Sequence, residues 1–77
     1  MSKIEMFWDR ANEYLLYNRP TWREGQCYFN ALWDVFPESA NKIRGNSDLD
    51  PFHVNKNIPA FLEWLNEELN ETKICNI

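Results

Sequence analysis

The chain has 77 residues, 16% of them aromatic, and twelve acidic against eight basic side chains give it a net charge of −4. A chain of this length forms one small domain that buries only about 60% of its unfolded surface, so large aromatic side chains must supply much of the core. The acidic balance argues against a protein that binds nucleic acid through bulk charge, and no apolar run approaches the roughly 18 residues of a membrane span.

The first predicted helix covers residues 2–18. Ser2 and Glu5 match a capping box, in which each side chain accepts a hydrogen bond from the backbone N–H of the other residue. Apolar residues then recur at spacings of three and four, which is the pattern of a helix with one buried face. Pro20 ends this helix because the residue before a proline is disfavoured in the helical conformation.

The second helix is predicted to begin directly after Pro20 and to end at Pro37. Thr21 and Glu24 match another capping box at its start. Gly25 lies in the first turn on the apolar stripe, where a glycine costs up to about 1 kcal/mol relative to alanine. We therefore expect Gly25 to permit the close approach of another backbone segment.

A short third helix is predicted over residues 38–44, because Pro37 suits a first helical position and Gly45 suits a left-handed C-terminal cap. The segment that follows, at about 46–56, is expected to be an ordered loop. Leu49 and Phe52 would attach this loop to the core, since apolar side chains in a polar loop are buried when they can be.

The last helix is predicted from residue 58 to residue 70, with Asn57 as its N-cap, and residues 72–77 are expected to fray. The expected fold over 1–77 is therefore all-α, a small single-domain bundle of three main helices and one short helix. Its aromatic core is predicted to contain Phe7, Trp8, Tyr28, Phe29, Leu32, Phe61 and Leu65.

Catalytic and cofactor chemistry has no positive signal in this sequence. Cys27 and Cys75 lack a Cys-x-x-Cys spacing and a secretory leader, which favours reduced thiols in the cytoplasm, with a bridge between them as the alternative. Cys27 and the single His53 are a weak pair for nucleophilic catalysis, because the thiol falls beside the aromatic face. Two glycines twenty positions apart cannot build a phosphate loop. We expect no enzyme and no cofactor.

The segment that holds Asp48, Asp50, His53 and Asn55 offers oxygen and nitrogen ligands for a metal ion within eight residues. The spacing does not match a calcium loop, and zinc prefers more cysteine or histidine ligands. Carboxylates at these positions more commonly cap turns. The sequence therefore predicts no bound metal.

The second helix carries more polar detail than a core helix needs. Trp and Arg are typical of protein-binding hot spots, so this surface is interpreted as a contact face for a protein partner. The residues predicted to form it are Arg19, Trp22, Arg23, Gln26, Asn30 and Arg44.

A structural interpretation of the same residues stays open beside the functional one. Gln26 and Asn30 would hydrogen-bond the loop, and Arg23 or Arg44 would pair with a loop carboxylate, because buried polar groups need partners. The loop side of this clamp would be Asp48, Asp50 and Phe52. A loop held in this way could itself present the binding surface.

Three further alternatives remain. An acidic decoy for a nucleic-acid-binding protein would use the carboxylates of Glu63, Glu67, Glu68 and Glu71. Direct nucleic-acid binding, which the net charge disfavours, would use Arg10, Arg19, Arg23, Lys42 and Arg44. A homodimer would use an exposed Trp33 or Trp64, since exposed aromatic patches are common interfaces.

One combination of residues between positions 14 and 65 is unusual as a whole. It comprises Arg19, Pro20, Arg23, Gly25, Gln26, Phe29, Asn30, Leu32, Pro37, Ile43, Arg44, Gly45, Asp48, Asp50, Pro51, Phe52, Pro59, Ala60, Phe61, Leu62 and Trp64. In this pattern the chain resembles short bacteriophage and prophage proteins of uncharacterised function. The resemblance implies a phage accessory product in a bacterial cytoplasm that binds a host or phage protein, and it transfers no activity.

Overall fold

The computed structural model describes residues 2–19 and 21–70, so Cys75 and the tail predicted to fray lie outside it. Within these residues the elements are α1 (Lys3–Tyr17), α2 (Glu24–Val35), α3 (Pro37–Ile43), a 3-10 turn (Asn55–Asn57) and α4 (Ile58–Glu68). No strand forms in these two ranges. The predicted all-α fold of three main helices and one short helix is confirmed, and the predicted helix ends at 18, 44 and 70 are one or two residues too late.

The start of α1 follows the predicted capping box. The Ser2 backbone N–H donates to Glu5 Oε1 at 3.0 Å, and the Glu5 backbone N–H donates to Ser2 Oγ at 3.2 Å. Because the carboxylate accepts this backbone N–H, the pKa of Glu5 lies below its usual value.

The second predicted capping box is wrong. α2 begins at Glu24 and its N-cap is Arg23, whose extended backbone (φ −67°, ψ 159°) carries no side-chain capping bond. Thr21 lies in the turn before the helix. The Glu24 carboxylate does not return to Thr21, because it accepts a hydrogen bond from the Tyr28 hydroxyl at 2.9 Å and pairs with Arg19 at 3.7 Å.

The aromatic core joins α1, α2 and α4. Phe61 of α4 lies 6.2 Å from the Phe7 ring and 6.3 Å from the Tyr28 ring, between centroids. Six of the seven predicted core residues are buried, and Trp8 is only half-buried, because it packs on the outer edges of Phe7 and Tyr28. Further buried apolar residues complete the core: Ala11, Ala31, Ala40, Ile43 and Leu69.

Asn57 is the N-cap residue of α4, as the sequence predicts, but its side chain makes no capping hydrogen bond. The residue is buried, and its Nδ2 donates to the backbone carbonyls of Ser47 at 3.0 Å and Asp50 at 2.9 Å. The loop folds back over the start of α4 and places two carbonyls there that need a donor. Asn57 therefore stabilises the loop instead of the helix end.

The loop is attached to the core as predicted, since Leu49 and Phe52 pack against the buried cluster. Its last residues differ from the prediction because they form the 3-10 turn Asn55–Asn57. Gly45 adopts the expected left-handed conformation after α3, with φ of 80°. Hydrogen bonds from Arg23 and Gly25 to Phe52 and Asn55 hold this segment beside the start of α2, next to the candidate site.

Candidate protein-binding groove

An open groove lies between α2 and the loop after α3. Its larger part, of about 360 Å³, is lined by Phe29, Arg44, Phe52 and His53 together with Gly45 and Asp50. A smaller part, of about 210 Å³, is lined by Phe29, Asn30, Trp33 and Arg44. Phe29 and Arg44 border both parts, so the two form one continuous surface. We call it the Arg44 groove, defined by Phe29, Asn30, Trp33, Arg44, Phe52 and His53.

The walls of the Arg44 groove are aromatic. The Phe52 ring stands edge-on to Phe29 at 5.7 Å and to His53 at 4.6 Å, between centroids. Phe29 is stacked on Trp33 at 6.4 Å. Phe29 itself is buried, whereas Trp33 is 37% exposed. The groove therefore presents ring edges and faces to solvent on a base that belongs to the core.

Arg44 lies at the centre of this surface. Its guanidinium carbon is 5.7 Å from the centroid of the Trp33 ring, within the range of a cation–π contact. No carboxylate pairs with Arg44 among the residues that the structure describes. The planar guanidinium is positioned by an aromatic ring and keeps its donors available to a ligand.

Arg23 contacts the same loop from the start of α2. Its Nη2 donates to the backbone carbonyl of Phe52 at 2.7 Å. The expected pairing of Arg23 or Arg44 with Asp48 or Asp50 does not form in the described chain. Asp50 accepts from the N–H groups of its own turn, Gly45 at 2.7 Å and Phe52 at 2.9 Å. The Asp50 carboxylate is therefore bonded to N–H groups of its own turn and not to an arginine, which the clamp interpretation had expected.

Gln26 and Asn30 do not bind the loop as the clamp interpretation expected. Within residues 2–19 and 21–70 no hydrogen bond joins either side chain to it. The loop is bound instead by Asn55, whose Oδ1 accepts the Gly25 N–H at 3.3 Å. The sequence reasoning missed Asn55 and Asn57 in this role. Their only signal was an asparagine-rich segment directly before a predicted helix.

The residues predicted to form one contact face lie in two separate parts of the structure. Asn30 and Arg44 line the Arg44 groove, whereas Trp22 lies outside α2 and packs on Tyr14 of α1 at 5.0 Å between ring centroids. Arg19 is beside Glu24 in the turn between α1 and α2. The reason is that α2 starts at Glu24, later than predicted, so Arg19 and Trp22 precede the helix and do not share a helix face with Asn30.

Three cations outside the groove pair with carboxylates in the described part of the chain. Arg10 bonds to Asp34 at 3.1 Å and Glu13 at 2.9 Å, and its hydrogen bond to Asp34 raises the pKa of Arg10 above its usual value. Lys42 pairs with Glu68 at 2.6 Å. With Arg19 also paired, only Arg23 and Arg44 of the five predicted patch residues lack a carboxylate partner in the described ranges.

Catalytic and metal chemistry finds no support in the described part of the chain. It holds no group of three or more His, Cys, Asp or Glu side chains arranged to bind a metal ion. Cys27 is a free thiol with no exposed surface, and burial raises its pKa, which suppresses the reactive thiolate. His53 contacts Phe52 instead of this thiol.

Two surface features of α4, its carboxylates and Trp64, concern the alternative functions of acidic decoy and homodimer. Glu68 of the acidic helix accepts hydrogen bonds from Ser39 at 3.0 Å and from Lys42, so it faces α3, and Glu71 lies outside the described residues. Trp64 packs against Phe61 at 6.2 Å between ring centroids and is half-buried. No helix in the described ranges combines the length and apolar character that crossing a bilayer requires.

Comparison of the chain with protein-family models, with curated proteins and with solved structures gave no match.

Proposed function

We propose that this chain is a small non-enzymatic protein that binds and modulates a protein partner through the Arg44 groove. The observation that carries the proposal is Arg44 itself, a guanidinium held against Trp33 in an aromatic groove and without a carboxylate partner in the described chain. Trp and Arg in well-packed pockets dominate the energetics of protein interfaces. Asn30 and Arg44 of the predicted contact face stay in this proposal, and Arg23 borders it through Phe52.

A protein partner is favoured over nucleic acid. Three cations of the basic patch, Arg10, Arg19 and Lys42, are paired with carboxylates, and the chain carries a net charge of −4. Binding to nucleic acid depends on several unpaired cations along one face. The acidic decoy has less support, because Glu68 is engaged by α3. From the resemblance to phage proteins we further propose that the chain acts in a bacterial cytoplasm and inhibits its partner there.

The proposal is tested by affinity capture from nuclease-treated bacterial lysate with the tagged full chain. Arg44→Gln removes the groove cation, and Arg19→Gln makes the same charge change outside the groove. We expect one stoichiometric protein to be captured by the wild type and by Arg19→Gln and to be reduced at least fivefold with Arg44→Gln. Equal capture by all three would contradict the proposal. Circular dichroism of each variant confirms that the helices are intact.

A further inference from the structure

The charge around the Arg44 groove is positive although the chain as a whole is acidic. Arg44 lines the groove, and Arg23 contacts the backbone of Phe52 on its wall. Asp50 is the carboxylate among the described lining residues, and its two oxygens accept the N–H groups of Gly45 and Phe52. The donors of Arg44 are thus left for an anion from outside the chain.

The groove also has room for a side chain. Its larger part, about 360 Å³, is at the lower end of the roughly 300–1,000 Å³ typical of ligand pockets. The walls there are the rings of Phe29, Phe52 and His53, which favour an apolar or aromatic occupant by edge and face contacts. An occupant that fits both features carries an anionic group close to a large apolar group.

We infer that the Arg44 groove binds a peptide segment of the partner in which an Asp or Glu lies one or two residues from an aromatic or large aliphatic side chain. The carboxylate would form a bidentate pair with the Arg44 guanidinium, the geometry that this planar group favours. The apolar side chain would pack against the exposed faces and edges of the Phe29, Phe52 and His53 rings. This inference rests on the proposed function and specifies the chemistry of the partner.

The test is a titration of the uniformly 15N-labelled full chain, followed by NMR, with three blocked tripeptides. They are acetyl-Glu-Phe-Glu-amide, its neutral match acetyl-Gln-Phe-Gln-amide and its basic match acetyl-Lys-Phe-Lys-amide. We expect the acidic peptide to shift the Arg44 Nε–H and the amides of Phe52 and His53, with an affinity about fivefold or more above that of the neutral peptide. The basic peptide should leave these resonances in place.

Two variants assign the effect to Arg44. In Arg44→Gln the affinity for the acidic peptide should fall to that for the neutral peptide. Lys56→Gln removes an exposed cation outside the groove and should leave the difference between the peptides unchanged. A difference that persists in Arg44→Gln overturns the assignment of the carboxylate to this residue.

Several results overturn the inference and leave the proposed function to its own test. Equal binding of the three peptides, or no shift at the groove from any of them, excludes the acidic segment. Tighter binding of hexathymidylate at the same resonances makes nucleic acid the occupant. Shifts of these resonances with protein concentration alone make a second copy of the chain the occupant. The proposed function fails separately, when capture from lysate does not depend on Arg44.

Discussion

The backbone of Gly25 in α2 lies directly against the carbonyl group of Pro51 in the loop. A Cβ at position 25 would overlap the Pro51 carbonyl oxygen and would lie 2.9 Å from the carbonyl carbon. Pro51 is fully buried at this contact, and Asn55 accepts the Gly25 N–H beside it. The close approach expected of Gly25 is therefore the contact that brings the loop, and with it one wall of the Arg44 groove, onto α2.

Gly25→Ala should destabilise the protein. In an open helix this substitution stabilises by about 1 kcal/mol, but here the methyl group meets backbone that cannot rotate away. We expect the free energy of unfolding to fall by roughly 2–3 kcal/mol, measured by urea denaturation. The control is Gly45→Asn, at a left-handed residue with open space around it, which should cost about 1 kcal/mol because asparagine tolerates this backbone conformation better than other side chains. A Gly25→Ala protein as stable as the wild type would refute this contact.

Asn57→Asp should destabilise the protein because it removes a donor that two carbonyls share. The new carboxylate would face the carbonyl oxygens of Ser47 and Asp50 in a buried position. Leaving buried acceptors without a donor predicts a loss of about 2–3 kcal/mol in the free energy of unfolding by urea denaturation. Asn41→Asp makes the same chemical change on the exposed face of α3 and should cost much less. Equal effects of the two variants would contradict the role of Asn57.

Arg23→Ala should cause only a small loss of stability. The Arg23 side chain is exposed, and its bond to the Phe52 carbonyl replaces one that water can make. We expect a loss of about 1 kcal/mol or less, which is a few degrees in Tm for a domain of this size. Arg19→Ala, an exposed arginine away from the loop, is the control for the change in charge. A much larger loss with Arg23→Ala would make the loop clamp its main role.

Tyr28 should make stability depend on pH in the alkaline range. Burial, followed by the hydrogen bond to Glu24, raises the pKa of Tyr28 to about 12. Because the folded pKa lies above the unfolded value of about 10, the stabilisation is complete below pH 10 and is lost as the pH rises through 12. The whole effect is at most about 2–3 kcal/mol.

The measurement is the urea midpoint of the wild type and of Tyr28→Phe between pH 8 and 11.5. Tyr28→Phe removes this titrating group and leaves Tyr14 and Cys27 in place. The wild type should lose stability more steeply than the variant above about pH 10. Parallel curves would show that Tyr28 is not the group responsible.

The helices and most of the core followed from the sequence because their signals are local. Apolar spacing of three and four marked the buried faces, and Pro37 and Gly45 marked the two ends of α3. The capping box at Ser2 formed because both of its partners lie within one turn. The same pattern at Thr21 did not form, because Tyr28 and Arg19 compete for the Glu24 carboxylate.

Only the tertiary structure decided the candidate site. The groove exists because the loop packs back against α2. This packing determines which atoms are close enough to be the hydrogen-bond partners of each polar group in the groove. Asp50 is used by its own turn, Asn57 holds the loop, and Arg44 lies over Trp33 without a carboxylate in the described chain. Sequence spacing determines which residues share a helix face. It does not determine which residues meet across segments twenty or more positions apart, because that depends on how the whole core packs.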